Sequence, residues 1–252
     1  MKIYNAFGIK PTNTFVSAGS DYYIPNIKTE KQKKLAYEAF QKSYKVTSKD
    51  IKELEDFIHG YISDDDEANI IHLYLAYHNS KLELVKQYSL VKGLKYFIDN
   101  FLIYSETKNV WGVQPELNDT IFINSGIKIA LDTVLSDQNG PNVHQQINNL
   151  RLLGIGVAGL YVNKSGMGNK GYDVRACLVD EDYAGYVHLS MAFTKDTENI
   201  NRNLFCGDKL TQMMLIPVFH TEYEEITENE YNKIMENSDR GDKGFGSSDV
   251  KH

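Results

Sequence analysis

The chain is poor in cysteine, proline and arginine, and it has neither a long apolar run nor a long basic one. Each lack excludes something. Two cysteines, Cys177 and Cys206, in 252 residues cannot build a disulfide framework, so a reducing, cytoplasmic setting is the expectation. No uninterrupted apolar stretch of about 18 residues occurs, which disfavours a membrane helix. The start, MKIYNAFGIK, lacks the apolar core of a secretion signal. Net charge is -7 without clustered Lys and Arg, which argues against a protein that grips a nucleic-acid backbone. Of 27 basic residues only Arg151, Arg175, Arg202 and Arg240 are arginine, so an arginine marks a place where a planar fork is wanted over a point charge.

What is present is enough apolar sequence, 42% of residues, to bury a sizeable core. Its pattern changes twice along the chain. Residues 1–27 look extended, with Phe15 and Val16 before a small-residue turn at Ser17–Ser20, then Tyr22, Tyr23 and Ile24 before Pro25. From Lys28 to about Lys108 there is no proline, and about four helices are predicted. Thr47-Ser48-Lys49-Asp50 reads as a helix start, and Asp64-Asp65-Asp66-Glu67 as another, placed at the positive end of a helix dipole. Leu94, Phe97, Ile98, Phe101 and Leu102 form one helical stripe. From Val110 to Val218 the signal turns to strands. Ile121, Ile123, Ile127 and Ile129 flank a turn at Asn124-Ser125-Gly126, and Val187, Leu189, Met191 and Phe193 alternate with His188, Ser190 and Ala192. Beyond about Thr221 the chain is acidic and polar and ends in a glycine-rich tail, expected to be mobile unless bound. A first strand, then helices, then many strands describes a mainly β domain split by a helical module.

Four stretches could carry chemistry. Lys164–Gly171 has three glycines, Ser165 and two lysines, suited to a phosphate nest or to an ordinary hairpin loop. In Leu178–Gly185, Asp180 follows an apolar pair at a predicted strand end, where a partly buried carboxylate could orient or deprotonate water; an acidic turn is the plain alternative. In Gly207–Ile216, Gln212 interrupts an apolar run, as a satisfied structural amide or as one that positions water. In the tail, Arg240 offers a phosphate fork, and Phe245 between two glycines suits a ligand cap. His72 and His78, six apart downstream of the acidic helix start, are poorly aligned for a metal.

Together with Ala18-Gly19-Ser20-Asp21, these stretches resemble the trimeric dUTPase family. The first four residues are similar to its A-G-x-D motif, Lys164-Ser165-Gly166 to Arg-Ser-(Ser/Gly), and Val179–Gly185 to I-D-x-D-Y-x-G. Gly207–Gln212 is similar to G-D-R-x-A-Q, and Arg240–Ser248 to R-G-x-x-G-F-G-S-T. The resemblance covers about residues 1–27 and 110–250. It implies a jelly-roll β core (1–27 and 110–252, with a mobile arm from about 221 to 252), interrupted by a helical insertion at 28–109. It also implies a homotrimer with each active site built from three subunits, and hydrolysis of dUTP to dUMP and diphosphate. Mg2+ would be held mainly by the substrate phosphates rather than by protein ligands.

By matching positions, Asp180 would hold the sugar 3′-hydroxyl and activate water, and Gln212 would hold that water. Tyr183 would pack under the deoxyribose. Asp21 would support the phosphate loop, with Lys164, Ser165 and Gly166 on the phosphates. Arg240, Gly246, Ser247 and Ser248 would close on the outer phosphates, and Phe245 on the uracil ring. The hairpin from about Val174 to Asp180 would read the base. Lys164 stands where arginine is usual, and Ala184 where a polar residue is. Cys177 stands where glycine is usual, either reshaping the base pocket or pointing into the core. The insertion would serve assembly or a protein partner, and no nucleic-acid or membrane partner is expected. A dUTPase-like regulatory protein and a pyrophosphatase for another deoxynucleotide are the alternatives.

Overall fold

Thr29 and Thr47 open the first two helices in the same way. Each side chain accepts from the backbone N–H three residues on, while Gln32 or Asp50 returns the bond to the cap backbone. A computed structural model describes residues 1–13, 19–62, 66–78, 89–131, 152–195 and 202–236. The helices are α1 (Glu30–Tyr44), α2 (Ser48–Tyr61), α3 (Glu67–His78) and α4 (Leu90–Asn100). The predicted stripe through Leu102 ends early. Leu94 and Phe97 are buried on α4, but Leu102–Ser105 is strand β3, paired with β4 (Val110–Val113). Asn109, at φ 53, supplies the left-handed backbone that closes this hairpin, a conformation asparagine tolerates.

The remaining strands are β1 (Lys2–Asn5), β2 (Ser20–Tyr23), β5 (Thr120–Asn124), β6 (Ile127–Ala130) and β7 (Ile155–Asn163). They continue with β8 (Tyr172–Val174), β9 (Leu178–Val179), β10 (His188–Phe193), β11 (Leu204–Phe205) and β12 (Lys209–Phe219). All pairings between them are antiparallel, in the orders β2-β12-β7-β9, β5-β10-β8, β11-β4-β3 and β1-β6. The strand-rich expectation for this part of the chain holds. The turn at Asn124-Ser125-Gly126 joins strands in different sheets, so it is a corner and not a hairpin. Gly126 is at φ 71 there, and a Cβ on it would lie 2.5 Å from the Gly8 nitrogen. Strand β10 departs from one-face alternation: five of its six residues, Leu189–Phe193, are buried, including Ser190 and Ala192. Both faces of this strand are therefore covered.

The helices share this interior. Helix α3 is buried on every side from Ile70 to Tyr77 and packs against α1, α2 and α4 as well as β4 and β5. A helix that is apolar all round belongs in an interior. Phe7, which follows β1, meets Phe40 of α1 edge-on at 5.8 Å between ring centroids, and Phe40 stacks on His72 of α3 at 5.1 Å. Tyr44 donates to the Phe122 carbonyl and accepts from the Asn124 N–H, both at 3.0 Å, and Tyr77 hydrogen-bonds Asp119. One apolar cluster runs through helices and strands within the unit formed by residues 1–219. A second unit, 220–252, holds a short exposed helix, α6 (Glu228–Ile234), capped reciprocally by Thr227 and Glu230.

Because Phe7, Ile24, Ile27 and Ile121 share this cluster with α1 and α3, deletion of residues 29–108 is expected to leave an aggregation-prone chain without cooperative unfolding in calorimetry. His72 yields a second prediction. It is fully buried and stacked on Phe40. Burial, aided by nearby His188, lowers its pKa to about 3. Below pH 6.5 the unfolded chain takes up a proton that the folded chain refuses, so stability falls as pH drops from 6.5 towards 3. This cost reaches about 2 kcal/mol at pH 5, and the His72→Leu variant should lose that part of the pH dependence in denaturant titrations at pH 7 and pH 5.

Candidate functional site

Asp21, on β2, is the meeting point of three predicted stretches. Its side chain is 11% exposed. Oδ1 takes Lys164 Nζ at 2.9 Å and Gln212 Nε2 at 3.1 Å, while Oδ2 takes Lys209 Nζ at 2.9 Å. Burial acts to raise the Asp21 pKa, but the hydrogen bonds from Lys209, Lys164 and Gln212 outweigh it and hold the carboxyl below its ordinary value. One carboxylate between two ammonium groups leaves a net positive centre. Both lysines keep a solvent face, with side chains 30% and 47% exposed, so the surplus charge is available to an anion.

Strand order explains how residues so far apart in sequence meet. Strand β12 lies between β2 and β7, with Gln212 opposite Asp21 on one side and Val162 on the other. Lys164 follows the end of β7 and caps a short helix, α5 (Ser165–Asn169). The glycine-rich stretch is therefore a helical turn, not the loop expected, and Met167 anchors it in the core. Ser165 and Gly166 stay exposed, and a Cβ at Gly166 would meet nothing within 4 Å. Nothing among the described residues requires glycine there.

Lys209 is a site residue that the sequence reading did not single out. It lies three residues before Gln212, and a regular pleat would send the two to opposite faces. A register shift between Lys209 and Thr211 inserts one residue, Leu210, which is fully buried. The bulge reverses the parity, so Lys209 opposite Tyr23 and Gln212 opposite Asp21 share a face. Lys209 also sits over the Tyr23 ring at 5.7 Å. The glycine at 207, in the left-handed region at φ 91, was the available signal that the strand does not begin regularly.

The acidic stretch forms a second, separate group. Asp180 follows β9 and is exposed, where a partly buried carboxylate was expected; its carbonyl accepts from Tyr183 N–H at 3.2 Å. Tyr183 donates its hydroxyl to the Tyr186 carbonyl at 2.7 Å, and its ring lies against Gly185, where a Cβ would come within 2.4 Å of the hydroxyl. Tied at its tip and backed by glycine, the ring is 41% exposed and makes a fixed flat platform. Asn163 links β7 to the neighbouring hairpin, accepting from Val174 N–H at 2.8 Å and donating to Asp173 at 3.0 Å. Val174 is half-buried. Cys177 is exposed, its carbonyl accepting from Tyr161 N–H at 2.6 Å, which rules out the reading that it points into the core. Burial instead belongs to Cys206, whose thiol pKa is pushed up to about 12.

The two groups do not meet in one chain. Val179 pairs with Gly159 and Gln212 with Val162, on opposite edges of β7. Asp180 thus falls about four residues from Gln212 along the strand direction, roughly 13 Å at about 3.3 Å per residue. No single water can touch both. Arg240, Phe245, Gly246, Ser247 and Ser248, like Ala18, lie outside the described residues.

Residues 127–249 match the dUTPase family model. Deoxyuridine 5'-triphosphate nucleotidohydrolases of Rabbitpox virus and Monkeypox virus are each 32% identical over 89 residues, which is 35% of this chain and 54% and 52% of theirs. The chain spans about half the length of these curated relatives. Among solved structures, a native EIAV dUTPase is 18% identical, with TM-score 0.30, across 52% of this chain and 93% of that one.

Replacing Asp21 with Asn leaves Lys164 and Lys209 facing each other without their shared counter-charge. Chemical denaturation at pH 7 should show a loss of about 1–3 kcal/mol. Because the wild-type carboxyl titrates below its ordinary value, its contribution is present above that value and fades as pH falls through it. The difference between the two proteins should therefore shrink on acidification.

Proposed function

We propose, from the match of residues 127–249 to the dUTPase family model, that this protein is a dUTP diphosphatase. The observation that carries the reading is the Asp21 cluster: three separated stretches converge on a cationic, solvent-facing group suited to a triphosphate. Water attacks the α-phosphorus, the bond from that phosphorus to the bridging oxygen breaks, and diphosphate leaves. Asp180 accepts the proton of the water and holds the sugar 3′-hydroxyl, and Gln212 orients the same water. Lys164 with Ser165 and Gly166 takes the phosphates, while Tyr183 lies under the deoxyribose and excludes a 2′-hydroxyl. Arg240, Gly246, Ser247 and Ser248 close on the outer phosphates, and Phe245 covers the base, excluding bulk water.

The separation of Asp180 from Gln212 supports a site completed between copies of the chain, as a homotrimer provides. Among the described residues no group of three His, Cys, Asp or Glu side chains is placed to hold a metal, and the Asp21 centre is already matched to lysines. These residues fit a Mg2+ ion carried on the phosphates, which would neutralise charge building up on the leaving diphosphate. No helix of the described residues is long and apolar enough to cross a membrane, and both cysteines are free, which suits a cytoplasmic enzyme. The insertion's outer helices remain a surface for a protein partner.

A second reading has one observation in its favour. Cys177 is exposed in the hairpin proposed to read the base, so a pyrophosphatase for another deoxynucleotide shares the same machinery. Turnover measured across the deoxynucleoside triphosphates separates the two: dUTP preferred by a factor of about ten or more supports the first, about 1.4 kcal/mol of discrimination. Preference for another base supports the second, and no hydrolysis of any of them sinks both. Asp180→Asn should reduce kcat by about 100-fold or more with dUTP binding nearly unchanged. A reduction of only a few-fold would remove Asp180 from its assigned role.

A further inference from the structure

Strand β8 is the outer strand in the order β5-β10-β8, so one of its edges has no strand partner among the described residues. Arg175 N–H bonds the Ser190 carbonyl of β10 at 2.9 Å, and alternation turns the N–H of Val174 to the open edge. The side chain of Asn163, the last residue of β7, accepts that N–H at 2.8 Å. Its amide nitrogen donates to Asp173 Oδ1 at 3.0 Å, while the Thr194 hydroxyl donates to Asp173 Oδ2 at 2.7 Å. The bonds from Thr194 and Asn163 hold the Asp173 carboxyl below its ordinary value. At neutral pH it therefore accepts only, which fixes which way round the Asn163 amide lies.

The two arms of the hairpin from Val174 to Asp180 belong to different sheets. Its second arm, β9, runs along β7, with Leu178 opposite Leu160 and Val179 opposite Gly159. Tyr161 N–H bonds the Cys177 carbonyl on the same side, and Asp180 follows directly on this arm. The first arm, β8, is laddered to β10 instead. The spacing of the arms, and with it the shape of the turn at Arg175–Cys177, depends on how the two sheets are joined beside it. Asn163 makes such a join: its backbone sits opposite Thr211 in the β7–β12 ladder, and its side chain holds Val174 and Asp173. Both Asn163 and Asp173 are exposed, where water competes for each group, so their bonds set direction more than they add stability.

We infer that Asn163 is a positioning residue for base selection: through Val174 and Asp173 it latches the first arm of the hairpin to the strand along which the Asp180 arm runs. The backbone groups of the turn then face a base at one spacing from Asp180 and the Tyr183 ring, and a base with a different edge pattern gains when that spacing loosens. The inference rests on the proposed reading of this hairpin as the element that selects the base.

The test compares three variants of the full chain. Asn163→Ala removes the latch. Asn163→Asp sets a second carboxylate against Asp173. Asn163→Asp/Asp173→Asn swaps the two groups, so that position 163 still accepts from Val174 and receives the donor from position 173. The ratio of kcat/KM for the preferred deoxynucleoside triphosphate to that for the next best should fall by about 3- to 10-fold in both single variants. In the swapped variant it should return to within about two-fold of wild type. Tm should move by about 4 °C or less in each. A merely structural role would lower turnover of every base alike and leave the ratio where it was. Amide hydrogen exchange at Val174 needs no turnover: it should quicken by about ten-fold or more in both single variants and slow again in the swapped one. An unchanged ratio in Asn163→Ala, unchanged exchange at Val174, or failure of the swap to restore either would overturn the inference. A wild-type chain that hydrolyses no deoxynucleotide would instead sink the proposed function and the role in base selection with it, and hydrogen exchange would then decide the latch alone.

Discussion

One buried carboxylate organises the cationic centre of this molecule. Asp21 gathers Lys164, Lys209 and Gln212, residues separated by up to 191 positions, and each depends on a different feature of the chain. Lys164 arrives because β7 stops at Asn163, Lys209 because a bulge reverses the pleat, and Gln212 because β12 runs beside β2. The arrangement is stable because the carboxylate is more than matched, and it is useful because the match leaves positive charge facing solvent. A lone buried carboxylate would cost more than it returned; one held by three donors keeps its charge and fixes their directions.

The helices contribute to the same end indirectly. Helix α3 is a core element, apolar around its circumference, and the cluster that it anchors runs through Phe7, Phe40 and Ile121. The β strands are packed on helices over surfaces that a free-standing β domain would have to cover otherwise. Strand β10 is itself buried on both faces, with Ser190 and Ala192 inside. The β3–β4 hairpin then touches the turn that launches β12 through an ion pair between Lys108 and Asp208.

Much of this was legible in the sequence, for identifiable reasons. The caps at Thr47 and the acidic start at Glu67 are local chemistry, and the helices begin there. The strand-rich character after Val110 follows from alternation, and the ordered motifs pointed to Asp21, Lys164 and Gln212, which the structure brings together. What was not legible depends on partners distant in sequence. The stripe through Leu102 fits a helix, yet Leu102–Ser105 pairs with Val110–Val113 because Asn109 can close a tight hairpin. Lys209 was hidden because Gly207 signals an irregular strand start without saying where the bulge falls. The exposure of Cys177 and Asp180 depends on where β9 joins the sheet edge, and periodicity says nothing about a strand of two residues.

The division of the site follows from the register. Asp180 and Tyr183 stand on one edge of β7, and the Asp21 cluster on the other, so the proposed chemistry requires a second copy of the chain. Mixing two inactive variants tests this directly. Asp180→Asn spoils one group and Lys164→Met with Gln212→Leu spoils the other; the two proteins are unfolded together, refolded as a mixture and assayed for dUTP hydrolysis. A site shared between copies predicts recovery of roughly a quarter of wild-type turnover, the fraction of interfaces that pair two intact halves at random. A mixture as inactive as its separate components, while still assembled, would contradict a divided site.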